Sequence, residues 1–291
     1  MTAEVYKLIR VAGSDAGEFL QGQLTQDMER LAQTGSLPAA WCNPKGRVIS
    51  LLRILMIDDG YGLVLPASVA ASVCQRLTIY RLRADVSLEV ADADDWTCLV
   101  LNTDGDLDQL DKLDLRPGQA INACRIAHGL IAVNIGIEEH CVELMGYRAD
   151  LEKAGIQATS QASPDFLRGA KIRAGIPEIL ADQAEKYTPH MLNLDLLGAV
   201  SFDKGCYTGQ EVVARTKFLG SSKRRLMRYR TGGTVAVGDK LADGDKDAGR
   251  VINVSGEDLL AVTPVQMHDK ELFVGGVAVT PVAMPYAVPV S

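Results

Sequence analysis

Residues 201–220 read SFDKGCYTGQEVVARTKFLG, in which Cys206 lies between Gly205 and Gly209, two residues after Lys204. Thr208 and Glu211 have the T-x-x-E spacing of a capping box, where two side chains satisfy each other's orphan backbone donors at the start of a helix. That spacing predicts a helix from about Gly209, with Val212 and Val213 on its apolar side, Arg215 and Lys217 in its last turn, and Gly220 as its stop. Cys206 would then sit near the positive end of the helix with an ammonium group close by, and both influences favour the reactive thiolate. Two glycines around a cysteine also suit a plain tight turn with a small inert side chain. The lysine, the cap and the polar Gln210 and Glu211 weigh towards a thiol that is presented.

The chain has 291 residues, 47% hydrophobic and 23% charged, enough for more than one ordinary folded unit with ample core. A net charge of -7 argues against a surface built as a whole to grip nucleic acid. The amino terminus lacks the apolar run of a signal peptide, and the apolar tail from 274 to 290 is broken by Gly275, Gly276, Pro281, Pro285 and Pro289. The expectation is a cytoplasmic protein with no membrane span. Six cysteines are scattered without a C-x-x-C pair and four histidines stand apart, so no metal site is expected.

Strands are expected at 5–11, 48–57, 63–65, 86–90, 97–101, 123–126 and 130–135, and helices at 66–80 and 164–174. Asp15 and Glu18 form a second cap pair, Ser163 is the N-cap before Pro164, and Gly175 stops that later helix. Residues 104–114 read as helix or loop, and 137–147 as strand or helix. Residues 181–193 form a long polar loop, a type that is often functional. Beyond Gly220, paired glycines divide short β segments, the punctuation of a small barrel. The basic run Lys223, Arg224, Arg225, Arg228 and Arg230 reads either as an RNA-facing strip or, preferred, as an edge strand with a charged outer face.

KGCYTGQE at 204–211, GQLTQD at 22–27, CNPKGR at 42–47, AGIP at 174–177, NLDLLGAVSF at 193–202 and the late pair Pro285-Tyr286 together resemble the YgfZ proteins, relatives of the glycine-cleavage T-protein, an aminomethyltransferase. The blocks occur in order across nearly the whole chain. The resemblance implies an α+β fold of three units in a cloverleaf around a folate-binding opening. Two interleaved units would occupy residues 1–215 and a C-terminal β barrel residues 220–291.

It further implies tetrahydrofolate or a derivative as cofactor, iron-sulfur client proteins as partners, and an indirect effect on tRNA modification. Cys206 would be the reactive residue with Lys204, and Tyr207, Gln210 and Glu211 would shape its surroundings. Folate would meet Tyr6 near the start and Phe166 or Leu167 ahead of AGIP. The T-protein's GYTGEDGFE-like turn, whose glutamate anchors the pterin, has no counterpart motif in 137–147, so aminomethyl transfer is not the expected activity. A folate-dependent one-carbon transferase and, last, a direct tRNA-binding module are the alternatives.

Overall fold

The computed structural model describes residues 6–58, 60–92, 96–136, 140–156 and 164–289. Its first sheet consists of β1 (Tyr6–Ala12), β2 (Ser36–Cys42), β3 (Val48–Ile57), β4 (Gly60–Pro66) and β5 (Ser87–Val90), antiparallel in the order β2-β3-β4-β1-β5. Successive side chains of a strand leave opposite faces, and both faces are covered here. Ile9, Leu63 and Leu65 pack under helices α1 (Ala16–Gln23), α2 (Met28–Thr34) and α3 (Ala67–Tyr80). Their neighbours Leu8 and Val64 face a second sheet. Two-sided burial explains why β3, VISLLRILMI, is apolar almost without alternation.

The second sheet has β6 (Trp96–Leu101), β7 (Cys124–Ala127), β8 (Leu130–Asn134) and β9 (Val142–Tyr147) in the antiparallel order β6-β9-β8-β7. Its inner face gives Trp96, Val100, Ile131, Val133 and Met145 to the core shared with the first sheet. Helices α4 (Asp104–Lys112) and α5 (Arg148–Lys153) cover its outer face. The 104–114 segment settles as a helix because Thr103 and Asp106 form a reciprocal capping box. Helix α6 (Pro164–Arg173) sends Leu167 and Ala170 into the shared core and ends at Gly175, at φ 68°. Its expected cap Ser163 lies outside the described residues.

After helix α7 (Gln210–Leu219), six strands close a barrel: β10 (Arg224–Thr231), β11 (Lys240–Asp243), β12 (Lys246–Ser255), β13 (Asp258–Pro264), β14 (Leu272–Val274) and β15 (Val277–Val282), in the order β10-β13-β12-β11-β14-β15. Leu226, Ile252, Leu260 and Val262 on its outer wall pack against Val48, Ile172, Leu192 and Val213, joining barrel to sheets.

Two expectations are corrected. The basic run is no edge strand, because closure pairs β10 with β13 on one side and β15 on the other. Its Arg225 and Arg228 are buried: Arg225 grips Asp195 at 2.6 and 3.1 Å, while Arg228 lies 3.5 Å from Asp258. Asp15 precedes α1 without capping it, because its carboxylate instead accepts from the backbone N–H of Asp85 at 2.8 Å.

Candidate functional site

Three sequence blocks far apart in the chain meet around the Cys206 loop. In 22–27 the chain breaks between α1 and α2, which leaves helix-end carbonyls unpaired. The Lys204 ammonium takes up three backbone oxygens there, Gln21 at 2.6 Å and Leu24 and Gln26 at 2.7 Å. Thr25 extends the junction by accepting from the Ala40 N–H and donating to the Ala199 carbonyl. Gln26 donates to the carbonyls of Pro38 and Gly198. Lys204 is thus a buried tie between loop and helix, its three N–H groups committed to those carbonyls. Burial lowers its pKa to about 8 against the opposing pull of Asp27.

The predicted helix is present as Gln210–Leu219, but the Thr208–Glu211 capping box is not. Gly209 precedes the helix at φ 84°, and a Cβ there would meet the Asn43 carbonyl oxygen at 2.4 Å. The helix start therefore abuts the turn at residues 43–46, and Thr208 gives its backbone N–H to the Gly22 carbonyl at 3.1 Å. Gln210 accepts from the Tyr207 N–H at 3.3 Å, and Tyr207 is buried. Cys206 is an exposed free thiol, and Glu211 is exposed on the first turn of the helix.

A separate cleft opens where the two sheets, α6 and the segments 176–179 and 194–199 converge, enclosing about 740 Å³ of empty space with open solvent at its mouth included. Leu51, Val64, Met145 and Ile176 supply apolar wall, and Tyr6, Arg53, Glu143, Lys171 and Glu178 supply charge and hydrogen-bonding groups. Cys206 is not among the lining residues. Lys171 lies 3.0 Å from Glu143 and 3.2 Å from Glu178, and the Tyr6 hydroxyl bonds both Lys171 and Glu178. The Lys171 ammonium also stands 4.3 Å from the centre of the Tyr6 ring.

Burial works against the charge on Lys171, but the two carboxylates outweigh it and raise its pKa above the ordinary lysine value. Burial likewise opposes the Glu178 charge, yet Lys171 and the Tyr6 hydroxyl hold that carboxyl below its ordinary value. Burial, then Glu178 and Glu143, push the Tyr6 phenol up. The cluster therefore places the Lys171 ammonium between Glu178, held as a carboxylate, and Glu143, beside a neutral phenol, the paired state that buried charges require.

Of the aromatic and apolar contacts expected for folate, Tyr6 lies in this cleft. Leu167 is a fully buried core residue and Phe166 packs beside it, and neither lines the cleft. The sequence reading missed Arg53, Glu143, Lys171 and Glu178. The available signal was a lone charge in an apolar context: Glu143 inside VELMGY, Arg53 inside VISLLRILMI, and Lys171 on the helix face carrying Leu167 and Ala170. Glu143 also supplies a cleft carboxylate although 137–147 lacks the expected motif.

The AGIP turn is braced from the far end of the chain. Tyr286 donates to the Gly175 carbonyl at 2.7 Å and lies where a Cβ on Gly175 would go. From the barrel, Asn253 clamps the backbone of Glu178, accepting from its N–H at 3.0 Å and donating to its carbonyl at 2.9 Å.

No protein-family model matches the sequence. The chain is 31% identical over 248 residues to the tRNA-modifying protein YgfZ of Escherichia fergusonii, covering 78% of this chain and 70% of that protein. It is 31% identical over 241 residues to the protein of the same name from Escherichia coli, with the same coverage. Among solved structures, the glycine cleavage system aminomethyltransferase T from Bartonella henselae superposes with a TM-score of 0.72 at 18% identity, over 96% of this chain and 83% of that one. The chain therefore belongs to the YgfZ family and has the fold of the glycine-cleavage aminomethyltransferase.

Proposed function

We propose that the protein is a folate-binding accessory factor in iron-sulfur cluster assembly or repair, supporting tRNA modification indirectly, with Cys206 as its reactive thiol. The observation that carries the folate part is the cleft, whose apolar walls enclose the Tyr6–Glu143–Lys171–Glu178 cluster. A pterin is a flat ring with an amino and N–H edge that a carboxylate accepts, a carbonyl that an ammonium or guanidinium donates to, and a face on which a phenol packs. Glu143 or Glu178 offers the acceptor and Tyr6 the phenol, while the three Lys171 N–H groups are taken by Glu143, Glu178 and the Tyr6 hydroxyl and hold those groups in place.

Binding is favoured over one-carbon transfer. Glu143 and Glu178, the carboxylates among the described lining residues, both share Lys171. A general base needs an acceptor free at the proton it abstracts. The tRNA link is drawn from the name of the relatives. Direct tRNA binding through β10 finds no support, since Arg225 and Arg228 are turned inward onto carboxylates.

The thiol part rests on Cys206 being exposed at the end of a loop fixed by Lys204 and Gly209. It is tested in a deletion strain by the activity of iron-sulfur enzymes, including the tRNA-methylthiolating enzyme. Wild type should restore activity, and Cys206→Ala should fail while accumulating normally. Equal rescue by that variant removes the thiol from the mechanism.

A further inference from the structure

Arg53 stands out among the buried charges of the cleft. The Lys171 ammonium touches two carboxylates, whereas Arg53, a residue 8% exposed, gives its guanidinium hydrogen bonds among the described residues to neutral groups, Ser36 Oγ at 3.0 Å and Asn122 Oδ1. Glu143 acts on it through space rather than as an ion-pair partner. A guanidinium has five N–H donors, and these bonds occupy two. Glu143 offsets only part of the desolvation of this charge, whose hydrogen bonds go to neutral acceptors, the condition that a carboxylate in the fork geometry relieves.

The surroundings are built for this. Asn122 sits at φ 63° with its N–H fixed to the Asn134 carbonyl at 2.9 Å, and so presents its side-chain oxygen to Arg53. Pro38, Asn122 and Leu197 line both the cleft and a groove open to the surface, and Ser36 lines that groove too. Arg53 and its two partners thus stand at the wall where cleft and groove meet.

We infer that Arg53, held by Ser36 and Asn122, is an anion subsite that receives the carboxylate end of an elongated ligand where the cleft joins the outer groove. This rests on the folate reading in one respect, that the carboxylate is the glutamyl end of the folate. The subsite then selects pteroylglutamates over pterins that lack the acidic tail.

Two probes separate the subsite from that reading. p-Aminobenzoylglutamate carries the acidic tail without the pterin, and 6-methyltetrahydropterin carries the ring without the tail. Each is titrated calorimetrically into the full-length protein and into Arg53→Gln, Arg53→Lys and Asn122→Asp. The last variant is isosteric, tolerates the left-handed backbone, and gives Arg53 an internal carboxylate, so the fold is kept whatever Arg53→Gln does.

Arg53→Gln and Asn122→Asp should each weaken the tail fragment at least about tenfold and leave the pterin unchanged, since a hydrogen-bonded charge contributes at least that factor. Arg53→Lys should retain part of the affinity. Failure of wild type to bind the tail fragment, or equal binding by Asn122→Asp, overturns the subsite. A tail fragment that binds beside a pterin that does not keeps the subsite and overturns the folate reading.

Discussion

At the scale of single residues, Lys171 holds the cleft together, since Glu143 and Glu178 both share its ammonium. Lys171→Met would take from Glu143 and Glu178 the ammonium they share and should cost about 3–5 kcal/mol, read from urea unfolding. The pH dependence follows from the two shifts. Glu178 is held below its ordinary 4.5, so the unfolded chain binds more protons at acid pH, and its stabilisation disappears as pH falls below that value. Lys171 is raised above its ordinary 10.5, so its contribution is complete below that pH and is lost only above it. Glu178→Gln should lower the pH 7 melting temperature and flatten the decline between about pH 5 and about pH 3. Exposed Cys206 is a different case, and Cys206→Ser should change stability by less than about 0.5 kcal/mol. The thiol could be picked out from its glycine-framed setting. The charged cluster could not, because Tyr6, Glu143, Lys171 and Glu178 come from separate segments and each looks like an isolated exception to an apolar pattern.

At the scale of elements, the start of α7 is set by contact with the 43–46 turn rather than by side-chain capping. Gly209→Ala meets a positive φ and a backbone oxygen together, and neither yields easily. A loss of about 1–3 kcal/mol is expected, measured as a lower urea midpoint at unchanged slope. This also explains why the helix was legible in 201–220 while its cap was not. Periodicity and the stop at Gly220 are local, whereas the reason for Gly209 lies at Asn43. The same distinction covers β10, whose basic residues look like an exposed edge until β15 closes the barrel and Asp195 and Asp258 meet them.

At the scale of the molecule, the barrel and the chain end support a cleft that the sheets and α6 form. Asn253 on β12 reaches Glu178 by two backbone hydrogen bonds without lining the cleft. Asn253→Ala should cost about 1–3 kcal/mol and weaken ligand binding in the cleft, although the substitution lies outside it. The order of the family blocks in the chain made the three-unit plan legible, and the paired glycines beyond Gly220 made the barrel legible. Composition and periodicity alone reached only strands, helices and punctuation, because which sheet faces which depends on distant segments such as those of Val64 and Met145 entering one core. The most direct test of the folate-binding cleft is an anaerobic calorimetric titration of tetrahydrofolate into wild type and Glu143→Gln, in which Lys171 keeps Glu178 as its partner. The account predicts saturable one-to-one binding to wild type and at least about tenfold weaker binding to the variant. Absence of binding to wild type, or equal affinity in both proteins, would contradict it.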